Sequence, residues 1–95
     1  MDMQDLNNLG DNLIINYPNP FTNSTKITFK SAGGHTLVQV FDTAARLIAT
    51  LADQTYVQGT YTVTFNSSAL ASGVYYARLQ NGSLQQVRPM LKVKG

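Results

Sequence analysis

The side chains able to do acid–base or nucleophilic work are few. One histidine, His35, and five aspartates, Asp2, Asp5, Asp11, Asp42 and Asp53, make up the set, and the chain has neither Glu nor Cys. A hydrolytic triad needs a base oriented by a third group, and a glycosidase needs two carboxyls at a set separation. Only Asp42 and Asp53 with His35 offer either, and His35 beside Gly33-Gly34 reads as a solvated turn residue. Asp2, Asp5, Asn7, Asn8, Asp11 and Asn12 gather oxygens near the start, but their spacing fits no calcium loop and reads as a solvated linker. The expectation is therefore no catalytic residues, no metal, no cofactor and no enzyme. Asp42 reads as a turn residue that accepts backbone N–H bonds, as short Asx side chains do. Asn23-Ser24-Thr25, Asn66-Ser67-Ser68 and Asn81-Gly82-Ser83 match the N-glycosylation pattern and read as turns as well.

These residues must be positioned by a small fold. A chain of 95 residues has room for one hydrophobic core. The hydrophobic share of 43% suits a folded domain, while 13% charged residues is about half the usual ~25%. Polar surface must then come from Thr, Asn, Gln and Ser, and Thr with Val and Tyr favours half-buried pleated strands. A net charge of +2, scattered along the chain, gives no stripe of Lys and Arg with stacking aromatics, so no nucleic-acid partner is expected. The opening ten residues hold no basic start followed by an apolar run, and no segment approaches the ~20 apolar residues of a membrane span. No membrane insertion is expected, and the chain reads as a piece of a longer protein.

Residues 1–12 read as a disordered linker remnant and residues 13–95 as a domain. A first strand over 13–17 stops at Pro18-Asn19-Pro20, where two prolines remove backbone donors. From Thr25 the period is two, with Ile27 and Phe29 on one face and Lys26, Thr28 and Lys30 on the other. Gly33-Gly34 turns the chain into 36–41, with Val38 and Val40 inward, and residues 42–45 turn it again into 46–51. A helix over 43–52 is the rival reading there, short and without a stop signal. Gly59 opens a strand with Tyr61, Val63 and Phe65 on one face. Residues 74–80 alternate Tyr75, Ala77 and Leu79 against Tyr76 and Arg78, and Asn81-Gly82 predicts a type I′ hairpin into 83–94. Pro89 inside that last strand implies an edge or a bulge. Seven short strands with regular turns predict an all-β, immunoglobulin-like antiparallel β-sandwich.

Tyr17-Pro18-Asn19-Pro20-Phe21, Val40-Phe41-Asp42, Gly59-x-Tyr61-x-Val63-x-Phe65 and Leu70-Ala71-Ser72-Gly73-Val74-Tyr75-Tyr76 occur in this order, before an alternating last strand that ends in Lys. The ordered set resembles the type A C-terminal sorting domain of the bacterial type IX (Por) secretion system. Ala45 stands where that family usually has Gly, and Pro89 where a basic residue is common. The resemblance implies a signal carried behind an N-terminal passenger that crosses the inner membrane by its own signal peptide. The domain then directs it from the periplasm through the outer-membrane translocon, with shuttle and sortase components as partners. The sortase normally cuts just before the domain, within or ahead of residues 1–12, and the passenger ends at the cell surface or outside the cell.

Recognition is placed on the final strand, at Met90, Leu91, Lys92, Val93 and Lys94. An edge strand offers unpaired backbone groups, Lys92 and Lys94 offer charge on one face, and Met90 with Leu91 or Val93 offers apolar anchors. Tyr17, Pro18, Asn19, Pro20, Phe21, Asp42, Gly59, Gly73 and Tyr75 are the structural motif residues. The alternative is an immunoglobulin-like spacer or a carbohydrate-binding module of a secreted multidomain protein. A sugar platform would draw on Tyr17, Phe21, Tyr61, Phe65, Tyr75 and Tyr76, most of which fall on the apolar side of alternating strands.

Overall fold

Alternation of branched or aromatic side chains with polar ones decides the local structure. The computed structural model describes residues 12–94. Seven strands form, β1 (Ile14–Tyr17), β2 (Ser24–Ser31), β3 (Gly34–Phe41), β4 (Leu47–Tyr56), β5 (Gly59–Asn66), β6 (Gly73–Asn81) and β7 (Leu84–Lys92). They pair antiparallel in two sheets, one ordered β1-β2-β5 and the other β4-β3-β6-β7. This is the immunoglobulin-like sandwich expected from the sequence. The expected linker lies, except for Asn12, outside the described residues.

The inward faces follow the period of two. Ile27 and Phe29 of β2 pack against Val38 and Val40 of β3 and Tyr75, Ala77 and Leu79 of β6, with Ile14, Phe21, Ala52, Phe65 and Met90 completing the core. Tyr61 and Val63 share the inward face of β5 but are only half buried, because β5 ends its sheet. Buried hydroxyls are paired rather than stranded: Ser31 and Thr36 share a 2.8 Å bond, and Thr25 Oγ1 donates to Pro18 O at 2.8 Å.

Three local readings change. The strand expected to stop at residue 51 runs on to Tyr56, since Ala52 faces the core and pairing with β3 continues to Gly34. No helix forms over 43–52. Register shifts between Val38 and Gln39 and between Val40 and Phe41 give β4 two bulges, which a simple alternation count does not show. The β6–β7 hairpin also differs from type I′. Asn81 pairs with Leu84, so Gly82 and Ser83 are the central residues, and only Gly82 has positive φ, at 61°. Glycine at the first central position is the type II′ pattern. Asn81 is thereby freed to act as a strand residue.

The β3–β4 turn is built on Asp42. Its Oδ1 accepts from the Ala44 N–H at 2.9 Å and the Arg46 N–H at 3.0 Å, and Oδ2 accepts from Arg46 Nε at 2.8 Å. The Arg46 backbone N–H above all holds the carboxyl below its ordinary value; burial opposes it, and the Arg46 guanidinium and the Ala44 N–H add to the lowering. Ala45, inside this turn, has φ of 63°, a left-handed conformation in which its Cβ crowds the backbone.

Two outcomes follow for the turn. Ala45→Gly relieves the Cβ crowding and raises stability by about 1 kcal/mol, read as a melting temperature higher by about 4–8 °C. A group whose carboxyl is held low stabilises the fold above its unfolded pKa and loses that contribution as pH falls through the folded value. The melting-temperature gap between wild type and Asp42→Asn therefore closes below the ordinary Asp range, and a gap that persists into strong acid would contradict this role.

Candidate functional site: the C-terminal strand and its clasp

The loop between β1 and β2 returns across the sandwich to the end of β7. Its two prolines follow cis peptide bonds, at Tyr17-Pro18 and Asn19-Pro20. Phe21 N–H donates to Leu91 O at 2.9 Å, and Val93 N–H donates to Phe21 O at 2.8 Å, a parallel bridge that joins the two sheets. Asn19 Oδ1 accepts the Leu91 N–H at 3.0 Å. The Lys92 ammonium donates to Thr22 O. Below the clasp the Phe21 ring, 1% exposed, meets Phe65 edge-on at 6.2 Å.

This geometry separates the five residues placed on the recognition strand. Met90 is 1% exposed and belongs to the core, and Lys92 is 7% exposed with its charge held inside the clasp. Neither presents a surface as expected. The physical reason is the period of two: positions 90 and 92 face the other sheet, and the Thr22 carbonyl compensates the buried ammonium. Leu91, Val93 and Lys94 are exposed. The edge beside 91–93 is not open either, because Asn19 and Phe21 already occupy its backbone groups. Pro89 does lie on an edge strand, as expected.

The remaining motif residues take varied places in the fold. Tyr75 lies in the core beside Phe65, and its hydroxyl donates to Ala71 O at 2.6 Å, which holds the loop entering β6. Gly73 sits at φ of 145°, and the Tyr61 ring lies over Gly59, 3.5–3.6 Å from where a Cβ would stand. Tyr17 is 79% exposed. Of the six aromatics that would build a sugar platform, Phe21, Phe65 and Tyr75 are buried.

His35 and Asp53 form an exposed pair at 2.6 Å, with Asp42 bound elsewhere to Arg46. The three acid–base candidates are thus not brought together. Among the described residues no group of three or more His, Cys, Asp or Glu is placed to hold a metal.

A family model described as the secretion system C-terminal sorting domain matches residues 16–93. The chain belongs to this family, the sorting domains of type IX secretion. Among curated proteins none matches the chain. The family is one of sorting signals and not an enzyme family, and the domain is a C-terminal sorting signal for type IX secretion. The match spans every strand except the first two residues of β1, so the sorting domain and the sandwich are one unit.

Three residues make contacts the sequence did not show, although one of them, Asn19, is among the structural motif residues. Asn81 Oδ1 accepts the Ala32 N–H, and its Nδ2 donates to Gly33 O and His35 O. Gln86 Oε1 accepts the N–H groups of both Leu13 and Ile14, and Asn19 holds Leu91. All three act across 46 or more residues of sequence, and only the Asn-Gly and Asn-Pro contexts hinted at two of them.

The two C-terminal lysines separate in a stability measurement. Lys92→Met removes the ammonium's hydrogen bond to the Thr22 carbonyl, which keeps only the Ser67 hydroxyl at 3.2 Å, and lowers stability by about 1–3 kcal/mol in denaturant unfolding. Lys94→Met stays within about 0.5 kcal/mol of wild type. Equal effects would show that Lys92 is not held as described.

Proposed function

We propose that the domain carries a passenger, joined upstream of Asn12, to the type IX translocon, and that the translocon reads the pole where Leu91, Val93 and Lys94 emerge beside the clasp. The observation that carries this reading is the clasp itself. It takes up the backbone of the terminal strand at Leu91 and Val93, so what remains for a partner is a fixed set of side chains, two apolar and one cationic. A partner with an apolar pocket and a carboxylate for Lys94 would fit them.

Pole geometry supports the same reading. Asn12 and Leu13 lie by Gln86 and Arg88, towards the end that holds the β2–β3 and β6–β7 turns, while residues 91–94 lie at the opposite end with the β1–β2 loop. A passenger then leaves the read pole uncovered. The passenger crosses the periplasm before reaching the outer membrane, where shuttle and sortase components act, and the sortase removes the domain by cutting ahead of β1. The passenger is joined to a surface lipopolysaccharide or released.

The test fuses the domain to a periplasm-targeted reporter in a type IX-competent cell. Leu91→Ser/Val93→Ser/Lys94→Glu keeps the clasp and the core, and its melting temperature stays near wild type while surface export falls by about tenfold or more, the equivalent of ~1.4 kcal/mol in recognition. Deleting residues 91–95 abolishes export. Wild-type export by a folded triple variant would place recognition elsewhere on the domain.

A further inference from the structure

The four edge strands of the sandwich are not equally protected. At β7 the edge is filled at Leu91 and Val93 by the clasp, and Pro89 offers no N–H. The edge strand β4 carries two bulges, and β1 has four residues with its Ile14 N–H taken by Gln86. β5 has none of these devices. It runs eight residues in unbroken register with β2, contains no proline and no charge, and among the described residues has no strand on its far side.

Its free backbone groups can be assigned. Lys30 N–H bonds to Leu13 O, so the even residues of β2 face β1 and the odd residues face β5. Through the register Phe29 to Tyr61 and Ile27 to Val63, the odd residues of β5 bond to β2. Thr60, Thr62 and Thr64 therefore direct N–H and C=O to the open side. A long, regular edge without gatekeepers is a template for another strand.

We propose that β5 is a self-association edge and that its occupant is the β5 strand of a second copy, paired antiparallel about Thr62. The sequence is self-complementary in that register. Thr62 faces Thr62 and Thr60 faces Thr64 on the outer face, extending the Thr28–Thr62 hydroxyl pair already present at 3.0 Å. On the inner face Tyr61 meets Val63, an aromatic on a β-branched residue. Both Tyr61 and Val63 are only half buried in one copy and gain cover from the second. No charge opposes another within the paired strands. Lys26 of one copy and Lys30 of the other stand three strand spacings apart, about 14 Å, beyond the screening length of ~10 Å at 0.1 M salt. The product is a continuous six-stranded sheet with a two-fold axis, a closed isologous contact that ends the open edge.

Sedimentation of the chain between about 10 μM and about 1 mM tests this. Wild type approaches twice the monomer mass as concentration rises. Thr62→Lys, a gatekeeper charge, and Thr62→Pro, which removes an outward N–H as Pro89 does in β7, each weaken association at least tenfold while circular dichroism keeps the β spectrum. In this cysteine-free chain, Thr62→Cys forms disulfide-linked dimers on mild oxidation, since facing Cα atoms about 5.5 Å apart suit the bond. Thr50→Cys, on β4, does not. A wild-type chain that stays monomeric throughout, dimers that persist in a folded Thr62→Lys variant, or equal cross-linking at Thr50→Cys would each overturn the proposal.

Discussion

Two sheets that each bury one face can slide over one another unless something fixes their stagger, and here Phe21 does so with both backbone and ring. Its N–H and C=O bridge Leu91 and Val93 of the other sheet, while the ring goes down into the core against Phe65. The ring could not reach Phe65 if the loop were displaced, and the loop could not hold β7 if the ring were out. Other features of that pole follow from this placement. Thr22 comes over Lys92, Asn19 comes over Leu91, and Ser67 is drawn in by hydrogen bonds to the same loop, its N–H donating to Asn23 O at 2.8 Å.

At the opposite pole a single amide takes a similar part. Asn81 joins the end of β6 to the β2–β3 turn through three hydrogen bonds, and Gln86 ties β7 to the start of β1. A domain of this size has a limited core to set against chain entropy, and many secreted domains of similar size add disulfides. This chain has no cysteine, so buried amide and hydroxyl bonds make the connections between sheets. In Asn81 both the amide oxygen and the amide nitrogen are paired, which is the condition under which a buried polar group supports a fold rather than weakening it.

The period of two made most of the fold legible. Ile27 and Phe29, Val38 and Val40, and Tyr75, Ala77 and Leu79 lie inward as the alternation requires, and the family motifs marked the turns between them. What could not be read depends on contacts distant in sequence. Nothing in Asp53-Gln54-Thr55 says that β4 continues; pairing with β3 does. Alternation put positions 90 and 92 on one face, but which face met the core was not fixed by residue type, because a Lys side chain is ordinarily taken as solvated. Thr22, 70 residues away, is what makes the inside available to Lys92. Ala45 is the converse case: the departure from the family's usual Gly pointed to a strained turn, and its φ is the one positive value at a residue other than Gly among those described.

On the reading proposed above, a terminal strand that a partner recognises faces a conflict between being readable and being safe. Reading by strand addition would need an open edge on that strand, and an open edge invites pairing with any extended chain. The clasp resolves the conflict by separating backbone from side chains. Asn19 and Phe21 take the outward N–H and C=O groups of the terminal strand, so it cannot pair indiscriminately, while Leu91, Val93 and Lys94 remain exposed. Burial of Met90 and Lys92 serves the same end, since alternate residues anchored in the core and clasp hold their exposed neighbours in one arrangement. Preorganised side chains lose less freedom on binding, so three exposed residues can supply more discrimination than the same three on a loose tail. The residues that look least available to a partner are then the ones that make the available residues specific.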